Sequence, residues 1–354
     1  MANFEILDLT KSDIWNTLLQ KLPPEQQDIY FTPQYYSLYE QLGDGKAQCF
    51  VYEKDNELAL YPFLLNSVNN LGYDLDKPYS DIQGAYGYNG ITANSNRPEF
   101  ISSFYREFDN YISQNNIIAE FTRFHPLLNN YRFSQQNMMV VFDRKTMFLS
   151  LENNYENIFK TFQTTTRKQI KRCSHKHHLE VEIVENNTTQ IDTFYSIYQE
   201  AMDRVQSSKY LYFNTEYFKN LIQNTPSVLF IATLETKPIA AIIAFYNHTY
   251  LHGHLGGALT DYLYTSSYSL LYSEMIKFGI EKNCKYFHAG GGTTNHNDDP
   301  LLQFKLNFSA TTADFYLGKK IHNMPIYEEV TKQWAKRYPE KAENYQHFIL
   351  KYRY

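Results

Sequence analysis

The chain has 354 residues, 43% of them hydrophobic and 20% charged, with a formal charge of −5. That length exceeds the usual single core and predicts two domains, and the acidic balance excludes a protein that holds nucleic acid through a dominant basic field. Its three cysteines (Cys49, Cys173, Cys284) stand at no metal-ligand spacing and exclude a disulfide framework, and no run approaches the ~20 apolar residues of a membrane helix.

The start, Met1-Ala-Asn-Phe-Glu-Ile, lacks the basic and then apolar stretch of a signal peptide, so the expected compartment is the cytoplasm. Phe31 to Glu40 reads as a helix with Pro33 near its start. Cys49 to Tyr52 and Glu57 to Leu65 read as strands paired around the turn Lys54-Asp-Asn56. Tyr79 to Gly90 is a loop rich in Gly and Tyr. Pro98 to Gln114 has helical periodicity, and Ile117 to Phe124 is a buried strand ending at His125-Pro126. Met147 to Leu151 reads as a strand and Tyr155 to Cys173 as one helix. The same order then recurs: strands at Val228 to Leu234, Pro238 to Tyr246 and Tyr250 to Leu255, an amphipathic helix from Ser266 to Lys282, and a strand from Lys285 to His288 that ends in glycines. Sequence identity between the halves is negligible, so the repeat is one of pattern. The expected division is 1–145, 146–320 and a C-terminal helix and tail, 321–354. Meander, helix and strand in that order predict mixed α/β sheets rather than a doubly wound parallel one. The 32 tyrosines fit a coding bias better than a dedicated sugar-binding cleft.

Three segments carry candidate chemistry. In the first, Gly290, Gly291 and Gly292 follow a strand and let backbone amides approach a ligand. Asp298 and Asp299 come next, one of them expected to cap the helix that carries Phe304 and Lys305. Lys305 lies between Phe304 and Phe308. Facing a cleft, it would stabilise an acyl oxyanion or a phosphate; otherwise it is a lysine snorkelling from an apolar helix. In the second segment, Arg167 pairs with Lys171 and Lys168 with Arg172 at i, i+4, with no acid among them, which suits either a polyanion or a solvated helix face. In the third, Tyr86 and Tyr88 lie in the Gly-rich loop, with Arg123 and His125 at the end of the following strand. Recognition of a sugar or peptide competes there with plain capping of a buried strand. His175, His177 and His178 lack metal spacing, and no Ser-His-Asp set, P-loop or dinucleotide fingerprint is present.

In this order the Tyr86-Gly-Tyr88 loop with Gly90, Arg123-Phe-His-Pro-Leu-Leu128, Thr166-Arg-Lys-Gln-Ile-Lys-Arg172 and Gly290-Gly-Gly to Phe304-Lys305 resemble the FemAB-like branch of the GNAT acyltransferase superfamily, over roughly residues 30 to 320. The resemblance implies two tandem GNAT-like domains with mixed, largely antiparallel sheets flanked by helices, and a substrate channel along or between them. It implies transfer of an aminoacyl group from charged tRNA, or of another acyl group, to an amine on a cell-wall or surface-polysaccharide precursor, with Phe304 and Lys305 in the active-site region. It also implies that the C-terminal tail returns to the first domain. For that tail, docking on the body is the expected role, ahead of a peripheral contact with the membrane surface.

No tightly bound cofactor is expected; the acyl donor is aminoacyl-tRNA or acyl-CoA. The stretch Leu259 to Ser267 departs from the glycine-bearing turn that holds CoA pyrophosphate in relatives. Candidate acceptors for the proton of the attacking amine are a substrate phosphate, Asp298, Asp299 and His254. Two rivals are an acyl-CoA-dependent N-acyltransferase acting on a sugar nucleotide and a non-catalytic glycan- or peptide-binding protein of the same fold. The acyl group, the acceptor and the oligomeric state are not written in the sequence.

Overall fold

The computed structural model describes residues 3–354. By internal contacts the chain divides into two compact units, one formed by Met1–Asp143 with Asp314–Tyr354, the other by Arg144–Ala313.

The first unit contains β1 (Asn3–Asp8), α1 (Ser12–Gln20), α2 (Pro33–Gln41), β2 (Lys46–Lys54), β3 (Glu57–Ser67), β4 (Ser80–Gln83), β5 (Thr92–Ala93), α3 (Pro98–Gln114), β6 (Ile117–Arg123) and α4 (Tyr131–Ser134). The hairpin between β2 and β3 turns through Asp55 (φ 50°) and Asn56 (φ 67°), the left-handed pair that a two-residue turn between twisted strands requires. Strands β1 to β4 form an antiparallel meander, and α3 then crosses over so that β6 lies parallel to β4. Helix α3 presents Phe100, Phe104, Phe108 and Tyr111 on one face at i, i+4 and i, i+3 spacing. Those rings pack on Phe50, Tyr52, Tyr61 and Phe63 of β2 and β3, Phe50 meeting Phe108 edge-on at 5.1 Å. Much of the aromatic excess is therefore spent on a core.

The second unit contains β7 (Met139–Ser150, from Arg144 onward), α5 (Tyr155–Thr161), α6 (Thr164–His175), β8 (Glu180–Glu185), α7 (Ile191–Arg204), α8 (Thr215–Asn224), β9 (Ser227–Leu234), β10 (Lys237–Tyr246), β11 (Tyr250–Ala258), α9 (Ser267–Glu281), β12 (Tyr286–Gly290) and α10 (Pro300–Leu306). Strands β8 to β11 are again an antiparallel meander. Helix α9 crosses over, β12 lies parallel to β11, and β7 closes on β12 antiparallel. Leu271, Met275 and Phe278 of α9 are buried with Phe230, Leu251 and Phe287 of the sheet. The segment 155–173, read as one helix from its sequence, is two. Phe162 leaves the helical region (φ −62°, ψ 151°), its ring is buried 5.1 Å from Phe308, and Gln163 N–H bonds the Asn307 carbonyl at 2.9 Å. Core packing of one ring outweighs continuation of the helix.

The chain then returns to the first unit through β13 (Thr312–Ile321), antiparallel to β6, followed by α11 (Met324–Arg337) and α12 (Pro339–Tyr345). Val330 and Trp334 of α11 are buried with Ile118 of β6 and with Tyr352 of the tail. Arg353 Nε donates to both oxygens of the fully buried Asp81, at 3.0 and 2.8 Å, and the Tyr352 hydroxyl adds a third bond at 2.9 Å. Each unit thus carries the same plan of four-strand meander, crossover helix, parallel strand and a final antiparallel strand. Among the described residues no helix is long and apolar enough to cross a membrane.

Candidate functional site

Strands β11 and β12 pair only through Tyr250–His252 and Tyr286–His288, while β11 stays paired with β10 as far as Ala258. Beyond His252 and His288 the two parallel strands part, the kind of place where α/β sheets take their ligands. At the fork His252 and His288 face each other, Nδ1 to Nδ1 at 3.2 Å, both buried. His254 lies two residues on, its Nε2 3.5 Å from the Tyr217 hydroxyl and its ring against Phe245. Burial first, and then the neighbouring His252, push its pKa down to about 3, so it is a neutral imidazole at neutral pH.

The glycines at the end of β12 answer backbone conformation and close packing. Gly290 takes φ +74°. A Cβ on Gly292 would fall 2.3 Å from Asp299 Oδ1, and one on Gly291 would fall 2.9 Å from Arg144 Cδ. Asp299 is the helix cap of the pair Asp298–Asp299. One oxygen accepts from the Leu301 and Leu302 amides at 2.9 and 3.0 Å. The other accepts from the Thr293 hydroxyl at 2.7 Å, the Thr294 amide at 2.8 Å and the Thr294 hydroxyl at 3.0 Å. Burial alone would raise its pKa, but these donors hold it well below the usual carboxylate range. A carboxylate so committed is a poor proton acceptor, and this corrects its reading as a base. Asp298 is exposed.

Asp299 and Pro300 start α10, whose next turn carries Phe304 and Lys305. Lys305 is 7% exposed, and its Nζ donates to the Gly291 carbonyl at 2.5 Å. Burial pulls its pKa down to about 7; the Asp299 carboxylate opposes that change and the Arg144 guanidinium adds to it. Arg144 in turn donates to the next carbonyl, that of Gly292, at 2.8 Å. Phe304 leans on Tyr272 and Phe308, centroids 5.2 and 5.6 Å away. The structure therefore brings together Gly290, Gly291, Gly292, Asp299, Phe304 and Lys305.

On α6, Thr166, Ile170 and Cys173 face the core, while Lys168, Lys171 and Arg172 are exposed on the opposite side. Arg167 is different. It donates to the carbonyls of Lys160 (2.5 Å) and Phe162 (2.9 Å) and to the Thr164 hydroxyl (3.1 Å), tying the break between α5 and α6. Its guanidinium is engaged in a structural joint, which corrects its assignment to phosphate.

The other expected residues lie in the first unit. His125 and Asp28 are fully buried and bonded Nε2 to Oδ2 at 2.9 Å. The Leu128 amide donates to His125 Nδ1 at 3.3 Å, which places the ring proton on Nε2. Tyr88 packs on Tyr30 and His125, the Tyr86 carbonyl accepts from Tyr35, and Arg123 stacks on Phe121. An imidazole with no exposure corrects the expectation that His125 meets a substrate directly. An open hollow of the same unit, lined by Glu328, Trp334, Ala335 and Lys351, carries none of the candidate residues.

Sequence reasoning missed His252, His288 and Arg144. The alternation His252-Gly-His254 on a predicted strand was the available signal for the first. Arg144 stood at the expected domain boundary, where no local pattern points to a site.

The FemAB-like family model, described as peptidoglycan biosynthesis/recognition, matches residues 74–298. The chain belongs to the FemAB-like family. Its fold is similar to that of FemX (TM-score 0.68, 11% identity, 92% of this chain and 99% of that one). It is also similar to the C-terminal domain (DUF2156) of a putative lysylphosphatidylglycerol synthetase from Agrobacterium fabrum (TM-score 0.54, 10% identity, 88% and 91% covered). A tandem GNAT protein from the clavulanic acid biosynthesis pathway, in a structure without AcCoA, matches with a TM-score of 0.52 at 7% identity, 91% and 99% covered. No curated protein matches the sequence. At these identities the likenesses concern the fold, and they bear out the tandem GNAT architecture of this FemAB-like chain.

Proposed function

We propose that this FemAB-like protein is an acyltransferase that moves an aminoacyl or other acyl group onto an amine of a cell-wall precursor, with Lys305 as the central group. The observation that carries the reading is a buried amine bonded to the carbonyl of a glycine turn, with burial pulling its pKa down to about 7. An amine with an appreciable neutral fraction near pH 7 accepts a proton, and the ammonium so formed stabilises a developing oxyanion. Among the proton acceptors considered from the sequence, Asp299 is spent on five donors and His254 is held near 3.

The acceptor nitrogen attacks the acyl carbonyl, the new C–N bond forms, and the proton shed by nitrogen passes to Lys305 Nζ. The resulting ammonium faces the tetrahedral oxyanion. Collapse breaks the bond to the ester or thioester leaving group, which takes that proton and returns Lys305 to the neutral form. Burial keeps bulk water from the amine, and the exposed Lys168, Lys171 and Arg172 supply contacts for phosphates of donor or acceptor.

The donor we favour is aminoacyl-tRNA. Residues Thr260–Thr265 form a 3₁₀ turn before α9, and Gly256 and Gly257 are packed against Tyr268 and Ile197. Close backbone approach of a CoA pyrophosphate lacks its glycine turn there, which counts against the acyl-CoA reading. The test is incubation with envelope precursors carrying a free amine, plus charged tRNA or acyl-CoA, with products followed by mass spectrometry. The expected product carries the aminoacyl mass and is lost on RNase treatment. A product that survives RNase and requires acyl-CoA overturns the donor; no acylated product with any donor overturns the function.

A further inference from the structure

We propose that Arg144 is a positioning residue for the transfer reaction: it anchors the glycine turn by the carbonyl next to the one Lys305 holds, and so keeps the amine from settling into an ion pair with Asp299. The proposal rests on Lys305 serving as the proton acceptor.

Two cations grip consecutive carbonyls. Lys305 Nζ takes Gly291 at 2.5 Å and Arg144 takes Gly292 at 2.8 Å, while the stem of Arg144 lies against Gly291, where a Cβ would meet its Cδ at 2.9 Å. The glycine is thus the surface on which the Arg144 side chain rests. Asp299, the only carboxylate acting on Lys305 among the described residues, pulls the amine toward its charged form. An ion-paired ammonium would be an ordinary lysine, unable to accept a proton at neutral pH. Two features oppose that outcome. The Asp299 oxygens are filled by five other donors, and a fixed positive charge lies beside the amine on β7. Lys145 follows Arg144 on β7 with its carbonyl against Gly291, and Tyr268 and Tyr272 of α9, which pack on the neighbouring Phe304, are kept in the neutral phenol form by burial. Among the described residues, Arg144 is the neighbour whose charge disfavours the ammonium of Lys305. A guanidinium suits the task because it stays charged at any working pH.

The experiment follows Lys305 itself, so it needs no turnover. Protein labelled with [13C]lysine is titrated by NMR, the Lys305 Cε resonance being assigned by its absence in Lys305→Met. The wild-type midpoint is expected near 7. Arg144→Met, which keeps the apolar stem and drops the charge, should move it upward by roughly one pH unit, and Arg144→Lys should restore it. In the transfer assay at pH 7 the same Arg144→Met change should lower kcat about fivefold, with KM unchanged and with recovery at higher pH. Arg144→Gln serves as a second charge-free variant should Arg144→Met fold poorly. A wild-type midpoint near 7 that neither variant moves overturns the role of Arg144 and leaves Lys305 as proton acceptor intact. A wild-type midpoint at the ordinary ~10.4 overturns both.

Discussion

The two units end their crossover strands in opposite ways. In the first, β6 runs into His125, which is fully buried, bonded to Asp28 and boxed by Tyr30 and Tyr88. In the second, β12 runs into three glycines, and the space a side chain would have filled is taken by Asp299 and Arg144. One strand end is sealed by aromatic packing; the other holds a buried amine whose pKa has fallen to about 7. The same six-strand plan thus ends in a buried imidazole in one unit and, on the function proposed above, in a reactive amine in the other. The difference lies in a few residues beyond one strand, as expected when function is grafted on a fold.

The largest effect is expected at Lys305. Lys305→Ala should lower kcat on the order of 10²- to 10³-fold in the transfer assay, with the far-UV circular dichroism unchanged. In the sealed unit His125→Ala should act on stability, by about 2–4 kcal/mol in denaturant titration for a buried hydrogen-bonded ring lost, while the pH dependence of kcat stays put. If His125→Ala moved that profile instead, the division of labour between the two strand ends would fail.

Smaller effects sharpen the picture. Asp299→Ala removes a helix cap and the bonds to Thr293 and Thr294, and should cost about 1–3 kcal/mol. Because the folded carboxyl sits below its unfolded value, the stability it contributes is present above the unfolded pKa of ~3.9 and is lost as pH falls through its lowered folded pKa. The wild-type and Asp299→Ala denaturation midpoints should therefore converge in strong acid. For Lys305 the sign is reversed. Its folded pKa of about 7 lies below the unfolded value, so the unfolded chain binds more protons between the two and wild-type stability rises with pH across that window. Lys305→Met should accordingly raise the melting temperature most below pH 7, and the gain should shrink toward pH 10. Smallest of all, Lys168→Ala or Arg172→Ala should raise the KM for the donor about threefold and weaken its salt dependence, because each is an exposed contact.

The sequence carried the secondary structure well where one rule governed it. Pro98–Gln114 combined a Pro start with aromatic periodicity, and the hairpin at Asp55-Asn56 combined turn chemistry with flanking strands. It failed where tertiary contact decided. Nothing local in 155–173 says that Phe162 will leave the helix for Phe308. At the site, the glycines and the Phe304-Lys305 pair were visible as a motif, and Asp299 as one of two capping candidates. The partition of roles was not visible. Whether Arg167 ties a helix break or meets a phosphate depends on carbonyls five and seven residues back in the chain, and the ionisation of Lys305 depends first on burial and then on neighbours that include Arg144, more than 150 residues away in sequence.

The pH dependence of kcat tests the role of Lys305 most directly. The expected profile has a limb that rises tenfold per pH unit, levels off above a midpoint near 7, and disappears in Lys305→Ala. A profile that is flat from pH 5 to 9, or one whose rising limb survives in Lys305→Ala, would contradict it.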